Sequence, residues 1–308
     1  MHMTKAPRVL ALAAAAATVM LGVPQVSARV LAQPDSPRSA AAASGHSNAG
    51  PLAALKWIRE AIAEAKAQHA SSTITPKITV GKFSQCPPLP AGDDPASTFC
   101  VLIHITGGTL DLGNSHQVIN RNINISFGEG TDANGNPFLI RGTLRSSPMP
   151  VLGGIFLESL VEKIVQTDPN LQLAVKPVGV GQALDPTGNT ALIVSQKIKA
   201  INPVFGTTCF IGSTQTPIVI DPTFGTTDPP APNQPESGHI DSAELLNNEL
   251  IIIGTVVDNA FAAPGSGGCG PSDSLDNVVN AVSGLPSPAG TNNAVFQVAV
   301  ELTPYSFL

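Results

Sequence analysis

The sequence predicts an all-β fold, a sandwich or barrel-like body built as one continuous unit or as two packed sub-sandwiches. Three observations predict it. Apolar and polar residues alternate in short runs, the period-two pattern of strands with one buried face. Turn-forming clusters separate those runs, and Gly and Pro number 28 each in 308 residues, above their usual share. Charged residues are only 12% of the chain, about half the usual quarter, which argues against a coiled coil or a long helical bundle. Hydrophobic residues at 43% suffice for a core, so the chain is not of the disordered class.

The β body is preceded by other material. Lys5 and Arg8 form a positive start, Val9 to Leu21 is an apolar run, and Val26-Ser27-Ala28 supplies small residues for cleavage, the pattern of a secretory signal over residues 1–28. The run is too short for a membrane anchor, which needs about 20 residues. No Cys follows it and no twin-arginine pair precedes it, so the general export route is expected, with no transmembrane anchor in the mature chain. Losing two of the 16 basic side chains with that segment leaves a formal charge of −8. Residues 29–50 are rich in Ala, Ser, Pro and Gly and read as a flexible linker. Residues 51–71 read as one short helix, with Pro51 at its first turn and Leu55, Ile58, Ile62 and Ala65 at helical spacing.

From residue 72 to 308 the pattern is strand and turn. Val101, Ile103 and Ile105 alternate with Leu102, His104 and Thr106, and Ile119, Ile123 and Ile125 alternate with Asn120, Asn122 and Asn124. Val194, Ile198 and Ala200 alternate with Ser195, Lys197 and Lys199. Glu249 to Val257 is nearly all apolar and predicts a strand buried on both faces, while Phe296, Val298, Val300 and Leu302 alternate with Gln297 and Glu301. Clusters such as Asn134-Gly135-Asn136-Pro137 mark the turns between them. The one internal helix expected is Ile155 to Gln166. The Pro-rich stretch 226–238 is a possible sub-boundary, read here as a long connection between strands.

Four cysteines, Cys86, Cys100, Cys209 and Cys269, fit an exported chain and allow three pairings. Cys86–Cys100 and Cys209–Cys269 are favoured, because the first closes a short Pro- and Ala-rich loop. A zinc site is disfavoured, since there is no Cys-x-x-Cys pair and no His at ligand spacing.

Several motifs have simpler structural meanings. Gly265-Ser266-Gly267-Gly268-Cys269-Gly270 matches a dinucleotide fingerprint in letters, but prolines flank it where a strand and a helix belong. Gly45-His46-Ser47-Asn48-Ala49-Gly50 has one residue too many for a nucleophile elbow. Asp132-Ala133-Asn134-Gly135-Asn136 begins like a calcium loop but lacks its closing Glu, and reads as a hairpin turn. His104, Asp111 and His116 are the candidates for a polar site, were the fold to bring them together. No residue is read as catalytic, cofactor-binding or metal-ligating, and no cofactor is implied.

A net charge of −6 without a basic cluster excludes nucleic acid as a partner. With Trp57 and Tyr305 as the only Trp and Tyr, a stacking platform for sugars is disfavoured. Cys86-Pro87-Pro88-Leu89-Pro90 to Cys100, Ile105-Thr106-Gly107-Gly108, the Pro-rich 227–235 stretch, Val257-Asp258-Asn259-Ala260-Phe261 through Cys269-Gly270, and Gly284-Leu285-Pro286-Ser287-Pro288-Ala289-Gly290 carry a resemblance. Over roughly residues 73–304 the chain resembles a group of exported actinobacterial proteins of unknown function. The resemblance implies export and the same cysteine framework, and transfers no site residue.

The functional expectation is an exported, non-catalytic protein with a structural or interaction role at the cell envelope or outside the cell, serving an envelope or extracellular partner. The alternative is an extracellular carrier of a lipid or other apolar small molecule, motivated by aliphatic richness with few charges. A hydrolase whose residues are dispersed through the sequence is the third reading.

Overall fold

In the computed structural model the described residues are 83–308, apart from 133, 135, 158–164, 185–191 and 247. The expected signal segment, linker and helix at 51–71 lie outside them, and the described residues all fall in one compact unit.

Two antiparallel sheets pack face to face. The first is built around β1 (Thr98–Leu112), which pairs with β3 (Ile123–Thr131) over its first half and with β2 (Ser115–Val118) at its end. Outward from β3 lies β4 (Pro137–Ser146). The second sheet begins with β5 (Met149–Pro150), β6 (Ala174–Ala183) and β7 (Ile193–Ile201), and continues through the short β8 (Phe210–Ile211) and β9 (Ile218–Ile220), both on β7. The chain then returns to the first sheet with β10 (His239–Leu246) and β11 (Glu249–Asp258). After β12 (Ser266–Gly267), which pairs with β8, β13 (Asn293–Pro304) inserts between β11 and β1. The orders are β10-β11-β13-β1-β3-β4 and β12-β8-β7-β6-β5.

The alternation read in the sequence becomes burial. In β7, Val194, Gln196, Ile198 and Ala200 are buried, while Lys197 lies on the other face with its ammonium 4.2 Å from the centre of the Phe210 ring. In β11, between two partners, Ile251 and Ile252 are both buried, as expected of a strand covered on both faces. Inner-face residues of the two sheets, such as Val101, Ile125 and Val298 with Val194, Ile198 and Ile220, join in one apolar core.

The two sheets approach along the β4–β6 seam. There Ser146 Oγ donates to the carbonyl of Pro177 at 2.8 Å, and the Gln182 amide takes the Gly142 N–H at 2.9 Å while donating to the Ser126 carbonyl at 3.2 Å. Gly142 has to be glycine, because a Cβ would stand 2.0 Å from the Ser126 oxygen.

Two expectations are revised. An α-helix, α1 (Asp276–Ser283), forms on residues not assigned to a helix from the sequence. The helix expected over Ile155 to Gln166 is met in part: its start is a 3₁₀ turn, Gly154–Phe156, followed by Leu157 in the left-handed region (φ 57°), residues 158–164 lie outside the described set, and Val165 is helical. The strand foreseen from Ile119 starts only at Ile123, the intervening residues serving as the link from β2.

Both favoured disulfides are present, Cys86–Cys100 with Cα atoms 5.8 Å apart and Cys209–Cys269 at 4.2 Å. No described cysteine is free, and such bonds belong to an oxidising compartment. Among the described residues no helix is long and apolar enough to cross a membrane. The Gly-rich 265–270 segment is the turn that carries Cys269, with α1 set against it: Asp276 Oδ1 accepts the Cys269 N–H at 2.8 Å, and Asn280 Oδ1 accepts the Ser266 N–H at 2.6 Å. The Pro-rich 226–238 stretch is folded back on itself by the Thr226–Ser237 bridge. Asn233 then ties it to the body, donating to the carbonyls of Asn259 and Asn292, each at 2.8 Å.

Candidate functional site

The apolar faces of the two sheets do not close fully on each other. They leave a cavity of about 850 Å³. From the first sheet it is lined by Ile103 and Ile105 of β1, Ile125 of β3, and Phe296, Val298 and Val300 of β13. From the second it is lined by Val175 of β6 and by Val194, Ile198 and Ala200 of β7. Met149, Phe205 and Val279 of α1 contribute further apolar wall.

A bulge in β1 explains how one strand serves the cavity along its whole length. The β1–β13 register slips between Ile105 and Gly107, so the inward set changes from odd-numbered residues (Ile103, Ile105) to even-numbered ones (Leu110, Leu112). Without the extra residue, Leu110 and Leu112 would point to the opposite face.

Where lining residues are also exposed, the cavity meets solvent. One lip is apolar: Phe156 is 49% exposed, Val278 55% and Val282 41%. Val278 and Val282 lie one helical turn apart in α1, and Leu152, in the same bend as Phe156, is 55% exposed. The other lip is polar, with Asp221, Thr226 and Asp228 exposed and Asp258 buried behind them. Asp258 Oδ2 accepts the Asp221 N–H at 2.7 Å and Oδ1 the Ala260 N–H at 2.9 Å. Burial raises the Asp258 carboxyl above its ordinary range against those two bonds, with the neighbouring Asp221 charge acting in the same direction as burial.

The three polar candidates do not meet. Asp111 and His116 face each other across β1 and β2, with Asp111 Oδ1 on His116 Nδ1, and His116 reaches the cavity rim. His104 lies on the opposite face of β1 from Ile103 and Ile105, its Nδ1 2.8 Å from Asn124 Oδ1 and its Nε2 3.8 Å from Glu301 Oε1. Glu301 is fully buried and raises the His104 imidazole above its ordinary value, against the opposing effect of burial. Among the described residues no three His, Cys, Asp or Glu side chains cluster as metal ligands would. Asp132 satisfies its carboxylate within its own turn, accepting the N–H groups of Asn134 and Asn136 at 2.8 Å each.

The cavity itself was missed as a site in the sequence, because the residues that line it are those any β core requires. The signal that was readable is Leu275, Val278, Val279 and Val282 ahead of Gly284, an apolar helical stripe closed by a glycine in the left-handed region (φ 66°).

Fold and cavity together define a class: a disulfide-linked, two-sheet β-protein that holds an apolar chamber between its sheets. Comparison with protein-family models, curated proteins and solved structures gave no match.

Proposed function

We propose that this chain is an exported binding protein for an apolar ligand, held between the sheets. The observation that carries the reading is the 850 Å³ aliphatic cavity with an open lip. Chambers of about 300–1,000 Å³ lined by apolar side chains are the usual size of small-molecule sites. Protein interiors otherwise pack to crystal-like density. A chamber lined by aliphatic side chains from both sheets and open to solvent at its lips has the size and surface that an apolar ligand requires. This favours a ligand carrier over the purely structural or interaction role. Export is supported by the N-terminal pattern and by the two disulfides.

The test is native mass spectrometry with solvent extraction of the protein purified from culture medium, followed by uptake of a fluorescent apolar probe. A bound lipid-sized mass, or saturable uptake near one probe per chain, is the expected result. Ile198→Trp, which places a ring in the chamber wall, should weaken uptake while leaving the β circular dichroism unchanged. Folded wild-type protein with neither adduct nor uptake would remove the reading.

A further inference from the structure

The charges of the chamber select among apolar ligands. Among the described residues that line it, none is Lys or Arg, whereas Asp221, Asp228 and Asp258 are all present. The one lining group there able to carry positive charge is the His116 imidazole, and Asp111 already holds it. Thr223, Thr226 and Thr227 accompany the acids on the polar lip, while Phe156, Val278 and Val282 supply exposed apolar lining.

From this asymmetry, and resting on the carrier reading above, we infer that the ligand is an uncharged amphiphile with a hydroxyl-bearing head, of the long-chain alcohol or monoacylglycerol class, and that anionic lipids are excluded. A hydrocarbon chain fits the aliphatic chamber. A hydroxyl head supplies O–H donors to carboxylate and threonine oxygens, which carboxylates, having only acceptors, are built to receive. A fatty-acid carboxylate or a lipid phosphate brings acceptors and negative charge to a lip of the same sign. Among the described lining residues it would find no Lys or Arg to replace the water it loses, and burying an unpaired charge is the most unfavourable exchange an apolar site can ask of a ligand. Asp258, 4% exposed and already accepting the Asp221 and Ala260 N–H groups, adds acceptor oxygens rather than a cation to that side of the chamber.

The test is displacement of a neutral apolar fluorophore from the full mature chain by monopalmitoylglycerol or palmitate, at about pH 8, where a free fatty acid is ionised. Monopalmitoylglycerol should win by at least ~10-fold, the scale expected when one ligand leaves an unpaired charge. In Asp221→Asn/Asp228→Asn, which keeps both backbones and removes two charges, palmitate should gain several-fold while monopalmitoylglycerol loses affinity with the carboxylate acceptors of its hydroxyls, so the preference narrows from both sides. Equal or tighter binding of palmitate to wild type would overturn the headgroup inference and leave the carrier reading standing. A fluorophore that fails to enter folded wild type at all would overturn both.

Discussion

Glu129 in β3 is 3% exposed, and burial pushes its carboxyl up to about 8, so at neutral pH it stays protonated in the folded chain. In the unfolded chain it ionises near 4.5. Folding therefore takes up a proton between these values, and stability falls as pH rises through that window, levelling off above about 8. The cost by pH 7 is on the order of 3 kcal/mol at 1.36 kcal/mol per pH unit. Glu129→Gln keeps the shape without the charge; urea denaturation should show it more stable than wild type at pH 7 and nearly equal at pH 4.5. His104 acts in the same sense: its raised value gives stability present below 6.5 and lost as pH climbs through the folded value. In Glu301→Gln the imidazole titration followed by NMR should move down, since Glu301 is the largest cause of the rise. An unmoved titration would assign the rise to Asn124 instead.

At the scale of elements, the bulge in β1 rests on Gly108, whose φ is +112° and whose Cβ, if present, would lie 1.9 Å from the Val295 oxygen. Gly108→Ala should therefore cost at least about 2 kcal/mol by denaturation, since strained backbone and displaced partner strand add. The same residue shows where sequence reading stops. Val101, Ile103 and Ile105 gave the inward face of β1 correctly, but alternation alone cannot place a bulge, so it could not say that Leu110 and Leu112 return to that face or that Asp111 meets His116 and leaves His104 behind. α1 escaped notice because its eight residues follow a Gly- and Pro-rich turn, and its apolar stripe spans only two turns. The cysteine pairing was legible because the loop between Cys86 and Cys100 is short and turn-rich, and the structure adds that Cys209–Cys269 fixes the segment under α1. Opening that second bond in Cys209→Ser/Cys269→Ser releases a 60-residue loop, for which the chain-entropy relation gives about 4 kcal/mol of lost stability. Cys86→Ser/Cys100→Ser, with a separation of 14, should lose about 3 kcal/mol. The order of the two midpoints is the check.

For the molecule as a whole, the low charge and aliphatic richness have a place: two facing sheets joined along the β4–β6 seam, with a chamber between them. Composition foreshadowed an apolar interior but not its incomplete closure, which depends on sheet separation and is invisible to periodicity. If the chamber is the binding site, ligand and stability are linked. A ligand that binds only the folded chain adds about 2.7 kcal/mol at a hundredfold excess over its Kd, which for a body of this size raises Tm by about 5–10 °C. Ile198→Trp separates this linkage from general stabilisation. The indole occupies space the ligand would use, so the variant without ligand should melt at or above the wild-type temperature, filled cavities being more favourable than open ones. Its Tm should then climb less steeply with added monopalmitoylglycerol than the wild type's does. A variant that climbs as steeply as the wild type would place the bound molecule elsewhere on the protein, because Ile198 sits on the central strand of the second sheet, directly in the chamber wall.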